Sequence, residues 1–331
     1  MLNKAKLLGF VLTIAFLALA FWKVDVGEIG AVLSSADYRY VVPAAAITFL
    51  GYVWRTFRWK RILHTTRNIP TPRLFPLLMI GFMANNVLPA RIGEFVRAFV
   101  LWRQEGVSKS SGLATIFIER LFDGMTLVLF LGVLSIVFPL PSWGTEAAYF
   151  SGAVFLVAVA LIVVLLIWED SALMLLQLGT RPFPAKAREW ILLKVGFFIE
   201  GLRALQRRRA ALGIIALSIV VWSFEAASYY LIVRGFGLQL PSRTLVLAAV
   251  FLLVMVNLGT MLPSAPGYVG TFQLFGVLAL SAFGVRRELA LSVVIVSHTM
   301  QYVLVTAIGL FFFWRQNLSL RRLSEDAVEF A

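Results

Sequence analysis

The sequence predicts an all-α polytopic membrane protein with about six full spans and two re-entrant helical hairpins arranged as an inverted repeat. The chain of 331 residues is 60% hydrophobic and 14% charged, whereas soluble domains are about half apolar and a quarter charged. Its apolar runs are long, as expected of helices that satisfy their own backbone groups in lipid. A β-barrel would show short alternating segments instead. Residues 1–331 are interpreted as a single transmembrane domain.

Composition also excludes several classes of function. The net charge is +13, but no nucleic-acid partner is expected because polytopic proteins carry Lys and Arg in their cytoplasmic loops. The chain has no cysteine, which excludes disulfides, Cys-based metal sites and a Cys nucleophile. His64 and His298 are far apart in the sequence. No metal or cofactor is therefore expected, and no long hydrophilic block indicates a separate soluble catalytic domain.

The first apolar run covers residues 7–22 and follows Lys4 and Lys6. We interpret it as a retained first helix. The alternative is a cleaved signal peptide, because the Ala-Leu-Ala sequence at 18–20 resembles a cleavage site.

The second run, 40–59, leads into a basic segment that the positive-inside rule places in the cytoplasm. With two crossings, the N-terminus lies on the same side. The basic residues concerned are Arg55, Arg58, Lys60, Arg61, Arg67 and Arg73.

Residues 74–102 predict the first re-entrant hairpin. Pro89 divides two apolar halves that are short for a full crossing of about 20 residues. Arg103 and Lys109 follow and should again be cytoplasmic, so both ends of the segment lie on one side. Broken backbone at membrane depth requires surrounding protein or a water-filled cavity.

The remaining runs complete the predicted topology. Residues 112–140 cross outward and 148–168 cross back; 169–209 form a cytoplasmic linker; 211–233 cross outward; 244–285 form the second hairpin; and 288–314 return. The protein is expected to lie in the cytoplasmic membrane with both termini on the cytoplasmic side.

In the linker, apolar residues at helical spacing predict an amphipathic helix that either lies at the membrane interface or packs on the end of the bundle. These residues are Ile191, Val195, Phe198, Leu202 and Leu205.

The two hairpins share a sequence pattern. NVLPARIGEF at 86–95 and TMLPSAPGYVGTF at 260–272 both contain Leu-Pro followed by Gly-x-Phe. The predicted topology inserts them from opposite sides, so units of about 40–140 and 211–314 would form an inverted repeat, as in many secondary transporters. The alternative is a chance match between two interrupted helices. The expected hairpin backbone residues are Pro89, Gly93, Pro263, Pro266, Gly267 and Gly270.

Ionisable side chains at membrane depth are costly and indicate function. In the first hairpin, the spacing of Arg91, Glu94 and Arg97 places all three on one helical face. The half-helix after Pro89 directs a partly positive N-terminus into the protein. An arginine beside a helix N-terminus suits a phosphate or carboxylate.

The next span contains FIERLFDG, in which Glu119 and Asp123 share a helix face and Arg120 is their neighbour. These residues could join Arg91 and Arg97 in a network that handles substrate. The alternative is a buried salt-bridge network that only fixes helix packing.

The second half carries milder polar groups. His298 is interpreted either as a hydrogen-bonded structural residue or as a proton relay, and Glu225 either pairs with an arginine or carries a coupling proton. The expected substrate-binding residues of both halves are Asn86, Arg91, Glu94, Arg97, Glu119, Arg120, Asp123, Gln273, His298 and Gln301.

LPARIGEFVR, the downstream ER…D cluster and the PG-x-x-G-x-x-Q pattern resemble the lysylphosphatidylglycerol synthase transmembrane region, also called the flippase-like domain family. The resemblance covers nearly the whole chain and implies a module that translocates or presents a lipid. Because the soluble synthase domain is not in this sequence, the chain resembles a stand-alone member. Such relatives are associated with hopanoid, glycolipid or polyprenyl-linked pathways.

The function expected from these observations is transport of an anionic or lipid-linked amphiphile through a central polar cavity, without enzymatic activity. Arg91 and Arg97 would bind phosphate, and acidic neighbours would orient them. The expected partners are a phospholipid or lipid-linked substrate, membrane lipids and a lipid-modifying enzyme. One alternative is an intramembrane enzyme that uses Glu94 with Glu119 or Asp123 as an acid/base pair. Another is a non-transporting scaffold.

Overall fold

The computed structural model describes residues 2–64, 66–88, 92–167, 208–262 and 265–318, with residues 174, 176–184, 188, 189, 191, 192 and 195 between them. All regular structure in these residues is helical. The helices are α1 (Leu2–Phe21), α2 (Val26–Ser35), α3 (Val41–Leu63), α4 (Thr71–Val87), α5 (Gly93–Glu105), α6 (Lys109–Val137), α7 (Ser142–Ile167), α8 (Arg208–Gly235), α9 (Ser242–Gly259), α10 (Thr271–Ser281) and α11 (Arg287–Arg315).

Four of the described helices are long and apolar enough to cross a bilayer: α6, α8, α9 and α11. Helices α6 and α11 have 29 residues each, which corresponds to roughly 44 Å at 1.5 Å per residue. The prediction of a multi-pass helical membrane protein is thus confirmed. Helix α3 has 23 residues, which is long enough to cross a bilayer, but its second half contains four basic residues and is therefore not uniformly apolar.

Both predicted hairpins contain a break between two packed helices. Helices α4 and α5 have 17 and 13 residues, and α10 has only 11; each is shorter than the roughly 20 residues of a full span. At the first break, Asn85 Oδ1 accepts a hydrogen bond from Gly93 N at 2.9 Å. At the second, a short 3₁₀ turn, Pro266–Tyr268, precedes α10. Pro89, Arg91 and Pro263 lie outside the described residues.

The helices of the two predicted units pack in matching ways. Helix α3 packs along α8, where the Thr48 hydroxyl donates to Ser228 Oγ at 2.8 Å. Helix α4 packs on α11, and the corresponding helix α9 packs on α6. At the α4–α11 contact, a Cβ on Gly309 would lie 2.2 Å from the Met83 Cβ, so glycine is needed for this close approach.

Helices α1 and α2, at the start of the chain, bear on the predicted topology. Helix α1 packs on α10, and Thr13 Oγ1 accepts a hydrogen bond from Ala265 N at 2.8 Å. This contact favours the interpretation of α1 as part of the bundle. Helix α2 was not predicted; Asp25 caps its N-terminus by accepting from Gly27 N. Of the predicted amphipathic helix, Phe198, Leu202 and Leu205 lie outside the described residues.

Apolar side chains form two buried clusters. One is built mainly from α8, α9, α10, α11 and the second half of α6. The other is built from the end of α3, from α4 and α5, and from the end of α11. Buried charged side chains lie where α3, α5, α6 and α8 meet, and this arrangement positions the candidate site.

Candidate functional site

Helices α3, α5, α6 and α8 bring eight charged side chains into one connected set of ion pairs, here called the ion-pair network. Four are arginines and four are carboxylates, so the network is balanced in formal charge. The two members on α3 and the two on α5 are three residues apart, and Glu119 and Asp123 on α6 are four apart, so each pair shares a helix face. The members are Arg55, Arg58, Glu94, Arg97, Glu119, Arg120, Asp123 and Glu225.

The deepest pair joins α5 to α6. Arg97 donates two parallel hydrogen bonds to Glu119, at 3.1 and 2.8 Å. The side chains are 3% and 0% exposed. The Arg97 guanidinium carbon also lies 3.6 Å from the centroid of the Trp59 ring. A bidentate pair stacked on an aromatic ring fixes its geometry strongly, so Arg97 is held in place by protein on two sides.

Asp123 joins α6 to α3 and α8. Its Oδ1 accepts hydrogen bonds from Arg58 Nη1 at 2.7 Å and from Trp222 Nε1 at 3.0 Å. Arg58 Nη1 also donates to Ser218 Oγ at 3.0 Å, and Arg58 is completely buried. These contacts fasten three helices together at one carboxylate.

Two further pairs complete the network. Arg55 Nη2 donates to Glu225 Oε2 at 3.0 Å, and both side chains are largely buried. Arg120 lies 3.0 Å from Glu119 and 3.4 Å from Glu94, and Arg120 and Glu94 side chains are 38% and 39% exposed. Side-chain exposure in the network therefore rises from Arg97 and Glu119 to Arg120 and Glu94.

A burial this deep is tolerated only because the charges are paired. Removing an ion from water costs several kcal/mol, which attraction and hydrogen bonds at short distance offset. Removing one partner of a buried pair would leave the other charge uncompensated. The pair of Arg97 with Glu119 lies behind the cavity wall, whereas Asp123, the partner of Arg58, also lines the open space beside Arg120 and Glu94.

That open space is a cavity of about 200 Å³ lined by both halves of the chain. The first hairpin, α3 and α6 supply one side, and the second hairpin, α8 and α11 supply the other. The lining residues, here called the cavity wall, are Tyr52, Arg55, Phe82, Asn85, Asn86, Glu94, Arg120, Asp123, Leu127, Trp222, Glu225, Tyr229, Val256, Asn257, Thr260, Met261, Tyr268, Phe272, His298, Gln301, Tyr302 and Val305.

His298 connects the cavity wall to the second hairpin. Its Nε2 lies 2.8 Å from the Gly267 carbonyl oxygen, so it donates there, and Nδ1 accepts from Gln273 Nε2 at 3.0 Å. Gln273 Oε1 in turn accepts from Gly270 N. The Phe272 ring stacks on the imidazole at 4.2 Å. Both ring nitrogens thus have protein partners, as the structural interpretation of His298 expects.

Positive φ angles and close backbone contacts explain why glycines occur in the two hairpins. Gly267 has φ +72° and Gly270 has φ +89°, which are left-handed values that favour glycine. A Cβ on Gly93 would lie 2.2 Å from the Gly81 carbonyl oxygen, so α4 and α5 can only meet this closely without a side chain there. Pro266 begins the 3₁₀ turn.

The structure separates the predicted site residues into three groups. Those on the cavity wall are Asn86, Glu94, Arg120, Asp123, Glu225, His298 and Gln301. Arg97, Glu119 and Gln273 are buried behind it. Arg91 lies outside the described residues.

One interpretation of the sequence needs correction. Arg55 and Arg58 do not belong to a cytoplasmic loop, because α3 continues to Leu63 and both are buried, at 5% and 0% exposure. Arg97 pairs with Glu119 on α6, as the expected network included, and Glu94 pairs with Arg120, which is also on α6. Acidic residues within the neighbouring spans, such as Asp123 and Glu225, need cationic partners when they are buried. The spacing of Arg55 and Arg58, about one turn apart on α3, could have identified those partners from the sequence.

Sequence reasoning also missed the tryptophans and the serine that complete the network, namely Trp59, Trp222 and Ser218. Glu225 pairs with an arginine, Arg55, as one of its two interpretations expected. Within the described ranges, no group of three or more His, Asp and Glu side chains could hold a metal ion.

Comparison with known proteins places the chain in a family. The family model described as the lysylphosphatidylglycerol synthase TM region matches residues 6–309. The chain belongs to this family. It is 27% identical over 318 residues to a UPF0104 membrane protein of Methanothermobacter thermautotrophicus, covering 90% of this chain and 92% of that protein.

A second relative is longer. The chain is 24% identical over 348 residues to the glycosyltransferase AglD of Haloferax volcanii. The match covers 97% of this chain but 56% of AglD, so the chain spans little more than half of that relative. Another UPF0104 membrane protein of M. thermautotrophicus is 27% identical, covering 89% of each chain.

Proposed function

We propose that this family member moves or presents a lipid, or lipid-linked amphiphile, across the cytoplasmic membrane through the cavity between its two halves. The observation that carries the proposal is the cavity itself. Charged and polar side chains line a space between the helices of a multi-pass membrane protein. Polar groups are retained at such depth mainly where they face a cavity or a substrate path.

The proposed architecture is an inverted repeat with two re-entrant hairpins and about six spans. Its support is the matching set of contacts: α4 packs on α11 as α9 packs on α6, while α3 and α8 face each other. Broken helices that meet near the membrane centre are usual in secondary transporters. The proposed orientation places both termini in the cytoplasm, since basic side chains concentrate near the helix ends on that side.

Only the headgroup would enter the cavity. A volume of about 200 Å³ is below the roughly 300–1,000 Å³ of pockets that enclose whole drug-sized ligands. The hydrocarbon chains of the substrate would remain in lipid beside the helices. Arg120, Glu94 and Asp123 on the wall would contact the headgroup, whereas Arg97 and Glu119 would position them. Arg91 keeps its expected role as a phosphate ligand.

Glu225 is the candidate coupling residue. It lies on the cavity wall and is 12% exposed at its side chain, with Arg55 as its partner at 3.0 Å. Protonation of Glu225 would remove one of the two carboxylate partners of Arg55 and leave Asp123 at 3.6 Å. A proton could in this way be linked to binding of the substrate.

The absence of cysteine from the sequence permits a clean test. Thr260→Cys places a thiol on the cavity wall, and the matched control Ser35→Cys places one on the exposed face of α2. Each variant is reconstituted in liposomes, and movement of fluorescent lipids between leaflets is measured before and after a charged methanethiosulfonate reagent. Modification should abolish transport for Thr260→Cys only. Equal transport before and after modification of Thr260→Cys would remove the cavity from the pathway.

The same liposomes distinguish transport from catalysis. We propose that the protein is not an enzyme, so mass spectrometry should recover the lipids chemically unchanged after transport. Conversion of the lipid by the purified protein would favour the intramembrane acid/base enzyme. A protein that neither moves nor converts lipid, but copurifies with a lipid-modifying enzyme, would favour the scaffold.

A further inference from the structure

We propose that the protein holds one anionic phospholipid as a resident ligand, with an acyl chain in a groove between α6, α8 and α9 and its phosphate at Arg234. This site is separate from the cavity and from the lipid that the protein is proposed to move. The groove, here called the lateral groove, has a volume of about 560 Å³ and shares no lining residue with the cavity wall. Its lining includes Phe130, Val133, Ala226, Ala227, Val246 and Ala249.

The chemistry of the lateral groove suits a hydrocarbon chain. Its lining is apolar except for Ser223 and Tyr230. Helices α6, α8 and α9 are all long and apolar enough to cross a bilayer, so the groove faces the hydrocarbon of the membrane. Its volume lies within the roughly 300–1,000 Å³ of pockets that enclose small ligands. An acyl chain can therefore enter it without removing a polar group from water.

Short side chains create the groove and give it a direction. Ala226, Ala227 and Ala249 each contribute only a methyl group, whereas residues beside them, such as Phe130, are large. On α8, Ala226 and Tyr230 are four residues apart and therefore share a face of the helix. The groove thus runs along α8 toward the C-terminal end of that helix.

At that end, the lateral groove meets an arginine that has no acidic partner. The Tyr230 hydroxyl accepts a hydrogen bond from Arg234 Nη1 at 3.0 Å, and the Tyr40 hydroxyl lies beside the same guanidinium. Arg234 is exposed in the last turn of α8. No carboxylate among the described residues forms an ion pair with it. Its guanidinium can consequently bind a phosphate without displacing an acid.

The start of α9 adds positive charge at the same end. Arg243 is exposed and lies three residues before Val246 and four before Leu247, which both line the groove, so it shares their helix face. The N-cap residue of α9 is Pro241, which gives no side-chain hydrogen bond to the first turn. The backbone N–H groups of that turn remain available, and the helix dipole makes them partly positive.

A second apolar groove provides a contrast. It lies between α2, α3 and α11 and has a similar volume of about 590 Å³. The arginines next to its helices are already paired, because Arg39 lies 2.8 Å from Asp37 and Arg286 lies 3.0 Å from Glu28. An acyl chain could occupy either groove, but only the lateral groove combines its apolar lining with an arginine that lacks a described acidic partner. An interface with a second copy of the chain would have no use for this cation at its edge.

The helix contacts also indicate which leaflet supplies the phospholipid. At the basic end of α3, Arg61 donates to the Arg209 carbonyl oxygen at the start of α8. At the opposite end, Asp37 N donates to the Gly235 carbonyl oxygen. The phosphate site is at this opposite end, which faces the outside in the proposed orientation. Lys and Arg are less frequent on that side, so an arginine without an acidic partner there indicates a ligand of the outer leaflet.

Native mass spectrometry tests the site by resolving each bound lipid. Thr260→Cys is first modified with a charged methanethiosulfonate reagent, which blocks the cavity, and the protein is then stripped of lipid in detergent. It is titrated with dioleoyl phosphatidic acid or with dioleoylphosphatidylcholine, which have identical acyl chains. The first molecule of phosphatidic acid should bind about tenfold more tightly than the first of phosphatidylcholine, because charge-assisted hydrogen bonds favour the anion. Equal affinities would overturn the inference.

Substitutions locate the bound lipid. In the same background, Arg234→Gln should weaken binding of the first phosphatidic acid about tenfold. The matched control is Lys23→Gln, which removes an exposed cation outside the groove lining and should leave this affinity unchanged. Ala227→Leu should fill the groove and weaken binding of both lipids. An unchanged affinity in Arg234→Gln, or an equal loss in Lys23→Gln, would overturn the inference.

A second copy of the chain is the competing occupant. A dimer that Ala227→Leu converts to monomer, with lipid binding unchanged, would assign the groove to a second copy and overturn the inference. Because Arg234 is exposed, Arg234→Gln should keep the melting temperature of the parent protein, and this variant decides the question even if Ala227→Leu does not fold. The outcome does not depend on transport, because the cavity is blocked in every sample.

Discussion

Replacing Arg97 with methionine tests whether this arginine fastens the fold or binds substrate. Arg97→Met removes both hydrogen bonds to the fully buried Glu119. Breaking a buried pair by removing one partner costs about 3–5 kcal/mol. Glu119 would keep Arg120 at 3.0 Å and Arg58 at 3.7 Å, so we expect the lower end, about 3 kcal/mol, in the free energy of unfolding.

The assay is equilibrium unfolding in mixed micelles titrated with sodium dodecyl sulfate and followed by tryptophan fluorescence. Arg103→Met is the matched control on the same helix, because Arg103 is exposed in its last turn and should change stability by less than about 0.5 kcal/mol. Adding Glu119→Gln to Arg97→Met should recover part of the loss, since the remaining arginines and carboxylates of the ion-pair network are then equal in number again. Equal stability of Arg97→Met and Arg103→Met would refute a fastening role for the pair.

Two further predictions concern the hairpin and the loop before α3. Gly93→Ala should lower the free energy of unfolding by about 3 kcal/mol through overpacking, because its Cβ would meet the Gly81 carbonyl oxygen; Gly132→Ala, with no atom within 4 Å, should be neutral or stabilising in the same unfolding assay. Hydrogen bonds from Arg39 lower the pKa of the Asp37 carboxyl. This stabilisation is present above the unfolded-state pKa, near about 3.9, and is lost as pH falls through the lower folded-state pKa. Asp37→Asn should therefore reduce the melting temperature at pH 7, and the difference should shrink as the pH falls below about 4; a reduction that is equal at neutral and acidic pH would contradict this.

The outer features of the fold could be predicted from the sequence because they depend on local patterns. Apolar runs and basic flanks predicted most of the described helices to within a few residues; the predicted span 288–314 corresponds to α11, Arg287–Arg315. Helix α7 differs more, because it begins at Ser142 and its predicted span began at 148. The break after Asn86 was predictable because proline and glycine interrupt a run of apolar residues. Helix α2 was missed because its ten residues are too few for a membrane signal.

The candidate site was predicted only in part. Glu119, Arg120 and Asp123 were identified because charges within an apolar run are conspicuous. Arg55 and Arg58 were misplaced because a basic segment at the end of a span fits the positive-inside rule equally well. Their burial depends on α8 and α6 packing against α3, which no local pattern in α3 reveals.

The sequence by itself determined that this protein lies in a membrane as helices, that two of its elements are interrupted, and which spans carry charge, because hydropathy and chain-breaking residues act within one segment. Only the tertiary structure decided which charges meet. Arg97 turns to Glu119 and away from the cavity, and Tyr229 joins Gln301 on the cavity wall. Pairing energies depend on distances between separate helices, and these distances are fixed by how side chains from the whole chain pack.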